Sequence, residues 1–122
     1  KEHNIFYRED ENLFTEIPIA MVDAAIGGSI DVPTIDGGKA RLKIPQGTQS
    51  GDQFRLKSKG MPHIRGGRLG DLYIQAKVET PTSLNKKQTE ILKSFQEISS
   101  EKETPLSSAF FKKAKEFWKS KK

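Results

Sequence analysis

Two histidines, His3 and His63, a scatter of sixteen carboxylates and the glycine cluster Gly66-Gly67-Arg68-Leu69-Gly70 are the residues of this chain that could do chemistry. Acid–base or nucleophilic catalysis needs such groups to converge in one cleft, as a Ser-His-Asp triad, a Cys-His pair or two facing carboxylates. The acids follow no such spacing, so no catalytic residue is expected. His3 reads as a structural hydrogen-bonding residue and His63 as a loop residue. The glycine cluster is not a phosphate cradle, because no helix pattern follows it and no Gly-Lys-Ser/Thr is present. It reads as a turn. With no cysteine in 122 residues a disulfide framework is impossible and a Cys/His zinc site has almost no ligands. No metal and no cofactor are expected.

The chemistry left is that of surfaces, and charge narrows it. The net charge is +5, yet residues 1–83 carry 11 Lys/Arg against 11 Asp/Glu and residues 84–111 carry 4 against 4. The whole excess falls in residues 112–122, where six lysines face Glu116. A neutral body with a basic tip is a poor footprint for duplex recognition, which wants a basic face on the folded unit. No run of about 18 apolar residues or basic-then-apolar leader argues for a membrane span or a signal peptide. A soluble protein of a reducing compartment fits. Starting at Lys1, and at once in ordered-looking sequence, the chain is expected to be a piece of something larger.

The elements that must carry such surfaces come in two kinds. All ten glycines lie between Gly27 and Gly70, marking the turns of one β-rich unit. Leu13, Thr15, Ile17 and Ile19 alternate with Phe14, Glu16 and Pro18, the period of a half-buried strand, and Pro18 marks its end or an edge. Met21 to Ile26 reads as a short helix closed by Gly27-Gly28. Ser29 to Thr34 and Lys39 to Ile44 read as strands around the hairpin signal Asp36-Gly37-Gly38. A strand bearing Phe54 and Leu56 follows, then a glycine-rich loop over 57–70, then a strand with Leu72, Ile74, Ala76 and Val78 on one face. Such spacing predicts a mainly β fold, a small antiparallel two-sheet β-sandwich with one short helix, followed by a helical C-terminal segment.

In that segment Asn85 can cap a helix with Gln88 three residues on, and Leu84, Ile91, Leu92, Phe95 and Ile98 form one stripe. Residues 99–106 read as a linker. In 107–122, Phe110, Phe111, Ala114, Phe117 and Trp118 recur at helical spacing with Lys112, Lys113, Lys115 and Lys119 on the other side. Burying the four aromatics removes about 150–250 Å² each, a gross gain of about 15 kcal/mol or more at about 25 cal/mol/Å². Association costs about 4–15 kcal/mol. Three covers stay open for this face: a second chain, the same chain folded back, or a membrane surface. In the β unit, Ser29 to Pro33 could be an open edge that accepts an extended peptide as an added strand, since Pro33 cannot donate to a ladder. Its bland counterpart is that Ile30 and Val32 are ordinary core.

Several motifs together carry a resemblance: His3-Asn4-Ile5-Phe6-Tyr7-Arg8 before Asn12-Leu13; Ala24-Ala25-Ile26-Gly27-Gly28; Ile30-Asp31-Val32-Pro33-Thr34-Ile35-Asp36-Gly37-Gly38; and Leu42 through Leu56. They continue with Lys59-Gly60-Met61-Pro62, Gly67 to Tyr73, and Thr80-Pro81 leading to Leu84 and Gln88. Over about residues 1–98 the chain resembles the C-terminal region of the bacterial DnaJ family of J-domain co-chaperones, and its phenylalanine-rich basic end also looks like a terminus of that family.

The resemblance implies the second of the family's two C-terminal β-domains at 1–83, a dimerisation helix at 84–98, a linker at 99–106 and a basic amphipathic helix at 107–122. It implies a cytoplasmic, non-enzymatic homodimer that helps hold non-native polypeptide for transfer to a DnaK-type chaperone. The J domain that meets that partner, and the cysteine-rich module that binds zinc, lie outside these residues. By analogy the peptide would meet Ile17, Ile30 and Val32, with Leu13 and Phe54 beside them. Dimerisation would use Leu84, Ile91, Leu92 and Phe95 with Phe110, Phe111, Phe117 and Trp118. The rivals are an anionic-surface or nucleic-acid binder working through the lysine tail, and a purely structural dimerisation spacer. The family reading itself implies neither a membrane nor a specific nucleic acid as partner.

Overall fold

The structure, a computed structural model, describes residues 5–62 and 69–121. His3, His63 and the turn residues Gly66 to Arg68 lie outside them. The chain divides into two compact units, Lys1–Pro81 and Thr82–Lys122.

Among its described residues the first unit holds six strands and a short helix: β1 (Tyr7–Glu9), β2 (Asn12–Ala20), α1 (Met21–Ile26), β3 (Gly28–Pro33), β4 (Lys39–Ile44), β5 (Gln53–Leu56) and β6 (Leu72–Glu79). One sheet has the order β1-β2-β6-β5, and β3 pairs with β4 in a second. Leu13 and Ile19 of β2, Ala24 of α1, Leu72, Ile74 and Ala76 of β6, and Val32, Leu42 and Ile44 of the second sheet form one buried core. The period-2 alternation of β2 and β6 is what turns these residues inward.

The expected mainly β, two-sheet architecture with a short helix and C-terminal helices is what the chain adopts. One feature departs from an all-antiparallel sandwich. β2 and β6 run parallel, in register from Leu13 opposite Leu72 to Ala20 opposite Glu79. A parallel pair needs a long crossover, and here α1, the β3–β4 hairpin and β5 supply it. Pro18 sits inside β2 rather than at its end. Among the described residues β1 pairs only with Asn12 to Phe14, so no described ladder bond on that side of β2 needs an amide at Pro18.

Turn chemistry behaves as the sequence predicts. Gly27 takes φ 89° and donates its amide to the Asp23 carbonyl at 2.8 Å, ending α1. In the β3–β4 turn the Asp36 carboxylate accepts from the Thr34 hydroxyl and from the Gly38 amide. The base of the 57–70 loop is pinned to the β1–β2 turn, where Met61 donates to the Glu11 carbonyl at 2.8 Å. Gly70 passes so close that an added Cβ would overlap the backbone of Glu11.

The second unit contains α2 (Lys86–Ile98) and α3 (Pro105–Ser120). α2 starts on a complete capping box, with Gln88 N–H donating to Asn85 Oδ1 at 2.8 Å and Asn85 N–H to Gln88 Oε1 at 3.0 Å. α3 begins at Pro105, inside the stretch read as linker, because proline at the first helical position loses no hydrogen bond.

Candidate functional site

Among the described residues β3 pairs with β4 on one side only. The Thr34 amide donates to the Gly38 carbonyl at 3.0 Å, and hydrogen-bonded pairs alternate along an antiparallel ladder. Val32, Ile30 and Gly28 therefore bond across to β4. The amides and carbonyls of Ser29 and Asp31, and the carbonyl of Pro33, point away from it. That edge can accept the backbone of an extended chain, and Pro33 sits where a missing amide removes no ladder bond.

The five residues expected to meet a peptide separate by burial. Ile30, Ile17 and Phe54 are half-buried and pack against the core, each with some surface left to share. Val32 and Leu13 are 0% and 2% exposed. They are corrected to core: both are sealed between the two sheets and cannot touch a ligand without opening the fold. On the solvent face of the β3–β4 ribbon, Asp31 lies 3.9 Å from Arg41, an exposed pair of little energetic weight.

The perturbed carboxylates hold turns rather than a reactive centre. The Ser58 amide, then the Arg55 guanidinium at 2.7 Å, hold the Asp71 carboxyl below its usual range. Asp36 is lowered by the Thr34 hydroxyl and then by the Gly38 amide, and Glu103 by the Ser100 amide. Among the described residues no cluster of His, Cys, Asp or Glu could hold a metal ion, and no helix is long and apolar enough to cross a membrane.

The helices of the second unit bury none of their residues. On α2, Ile91 and Phe95 are each 57% exposed, Leu92 is half-buried, and Leu84 just ahead of the helix is exposed. On α3, Phe110, Phe111, Phe117 and Trp118 are all more than half exposed. Phe110 and Phe111 meet edge to face with centroids 5.1 Å apart, and the Lys121 ammonium lies 5.5 Å from the Phe117 ring centre. All eight residues expected to serve dimerisation are thus on helix surfaces or beside them.

Sequence reasoning missed a row of aromatic side chains on the outer face of the four-stranded sheet. Tyr7, Phe14 and Tyr73 stand opposite one another across β1, β2 and β6. The signal was present for two of them, since Phe14 and Tyr73 occupy strand positions that alternate with the core set. Tyr7 gave none, because a three-residue strand is too short to show a period.

A family model described as the DnaJ C terminal domain matches residues 1–81, and one described as the Chaperone protein DnaJ C-terminal region matches residues 87–120. The chain is 59% identical over 117 residues to the Chaperone protein DnaJ of Pelagibacter ubique, covering 96% of this chain and 31% of that protein. It is 53% identical over 119 residues to the Chaperone protein DnaJ of Roseobacter denitrificans, covering 98% and 31%. The chain thus spans about a third of the length of the curated relatives it matches. With both the strand unit and the helical unit matched in chain order, this protein belongs to the DnaJ family and carries that family's C-terminal region.

Proposed function

We propose that this chain is the part of a cytoplasmic co-chaperone that dimerises it and helps hold non-native polypeptide, for transfer to a DnaK-type chaperone recruited by a J domain outside these residues. The observation that carries the reading is the second unit, two capped or proline-started helices whose apolar faces are left in water. Helices of this length are marginal alone and gain most of their stability from packing, so a partner surface is part of their design. A second copy supplies one without any further component, each patch meeting its own twin about a twofold axis. Each copy then brings its own β3 edge with Ile30 and, by analogy, Ile17 and Phe54.

No step of this role needs bond chemistry in this region, in keeping with a non-enzymatic chaperone, and no cofactor enters it. The reading is tested by light scattering on the 122-residue chain beside a 1–83 truncation: a dimer and a monomer are expected, and a monomeric full chain at tens of micromolar refutes the dimer. Client holding is tested by titrating an apolar peptide. Ile30→Asp should abolish binding, and salt should leave it largely intact. Binding that instead falls steeply with salt and disappears on deleting 112–122 would transfer the function to the lysine tail.

A further inference from the structure

The outer face of the four-stranded sheet holds a site that neither dimerisation nor the β3 edge uses. Phe14 and Tyr73 stack with ring centres 5.2 Å apart and planes at 15°. Tyr7, 62% exposed, tilts against Phe14 at 6.3 Å. In the neighbouring row stand Glu16, Gln75 and Gln53, in register across β2, β6 and β5. With the chain around Ile5 and Thr15 they line a cavity of about 290 Å³.

Among the described residues Glu16 is the only charged one of that lining. It is exposed and forms no ion pair among the described residues. Aromatic faces carry partial negative charge and attract cations. A carboxylate beside such rings, with two amide side chains in reach, is complementary to a planar cation that stacks and donates several hydrogen bonds at once. Guanidinium has that shape and donor pattern, whereas an ammonium is a compact point charge. Stacked rings on a sheet could also suit nucleobases. Here the charge argues otherwise: Glu16 repels phosphate, the nearby Arg55 is held by Asp71 at 2.7 Å, and residues 1–83 have no basic excess.

We propose that the Tyr7, Phe14, Tyr73 and Glu16 face binds an arginine side chain presented by an extended peptide. The site is separate from the β3 edge and stands whether or not that edge holds clients.

The test is an amide chemical-shift titration of the 122-residue protein with a capped Ala-Arg-Ala peptide and its uncharged citrulline counterpart. Saturable shifts are expected at residues 14–16, 53 and 73–75, with the citrulline peptide at least about fivefold weaker, since it keeps the shape and loses the charge. Glu16→Gln should weaken arginine binding about two- to tenfold and Tyr7→Ala about two- to fivefold. Both side chains are exposed, and an otherwise unchanged amide spectrum verifies the fold. Ile30→Asp should leave this binding unaltered. Equal affinity for the two peptides, indifference to Glu16→Gln, or shifts confined to other strands would overturn the proposal. So would a dT oligonucleotide that shifts these amides when the arginine peptide does not.

Discussion

Trp118 gives the sharpest handle on the second unit. It is the chain's one tryptophan and stands 59% exposed on α3. A tryptophan presents about 250 Å², so roughly 150 Å² remains to be hidden at that exposure. Covering it fully is worth about 3.7 kcal/mol at about 25 cal/mol/Å². Interface side chains are seldom sealed completely, and a twofold dimer counts each contact from both copies. Hiding half of that surface on each copy, less the part an alanine retains, leaves about 3 kcal/mol per dimer. Trp118→Ala should therefore raise the dimer Kd about a hundredfold. Sedimentation equilibrium over a dilution series measures it, and in the parent protein the tryptophan emission should shift red on dilution with the same midpoint. Alanine favours helix, so circular dichroism should show no intrinsic loss of helical propensity at that position. A Kd unchanged within threefold, with helicity preserved, would refute the assignment of this face to the dimer.

Three further outcomes are expected. Asn85→Ala removes the side-chain acceptor of the Gln88 amide while the backbone amide of residue 85 can still donate to Gln88 Oε1; the loss should cost α2 about 1 kcal/mol, read as lost helicity and a lower thermal midpoint of the helical transition. Ile74→Ala empties a fully buried position at the centre of the core and should destabilise the strand unit by about 2–5 kcal/mol in urea unfolding. Because Asp71 is held below its usual range by the Ser58 amide and then by Arg55, its contribution is fully present above the unfolded carboxylate pKa of about 3.9. It is lost as pH falls through the lower folded value. Asp71→Asn should flatten that part of the acid side of the stability curve, and an unchanged profile would count against the ring of bonds around this carboxylate.

Much of the strand unit was legible because its signals are local. Alternation placed β2 and β6, and the only backbone conformations open at Asp36-Gly37-Gly38 and at Gly27 placed the β3–β4 turn and the end of α1. Asn85 and Gln88 announced α2 through bonds that span three residues. What stayed hidden was non-local. The parallel pairing of β2 with β6 joins residues far apart in the chain, and nothing in either strand's own pattern states its direction. Val32 and Ile30 illustrate the same limit: both belong to the inward set of β3, yet one is sealed and the other half open. Position beneath the facing sheet made that difference, and strand periodicity cannot see it.

The sequence by itself determined the family, the order of the elements from β2 onward, the absence of cysteine chemistry and the amphipathic character of both terminal helices, since each follows from residue type and near-neighbour spacing. Only the tertiary structure decided which apolar residues are core and which remain exposed, and only it assembled Tyr7, Phe14, Tyr73 and Glu16 on one face. Those outcomes depend on which strands lie side by side, and strand pairing is set by the packing of the whole unit rather than by any one segment.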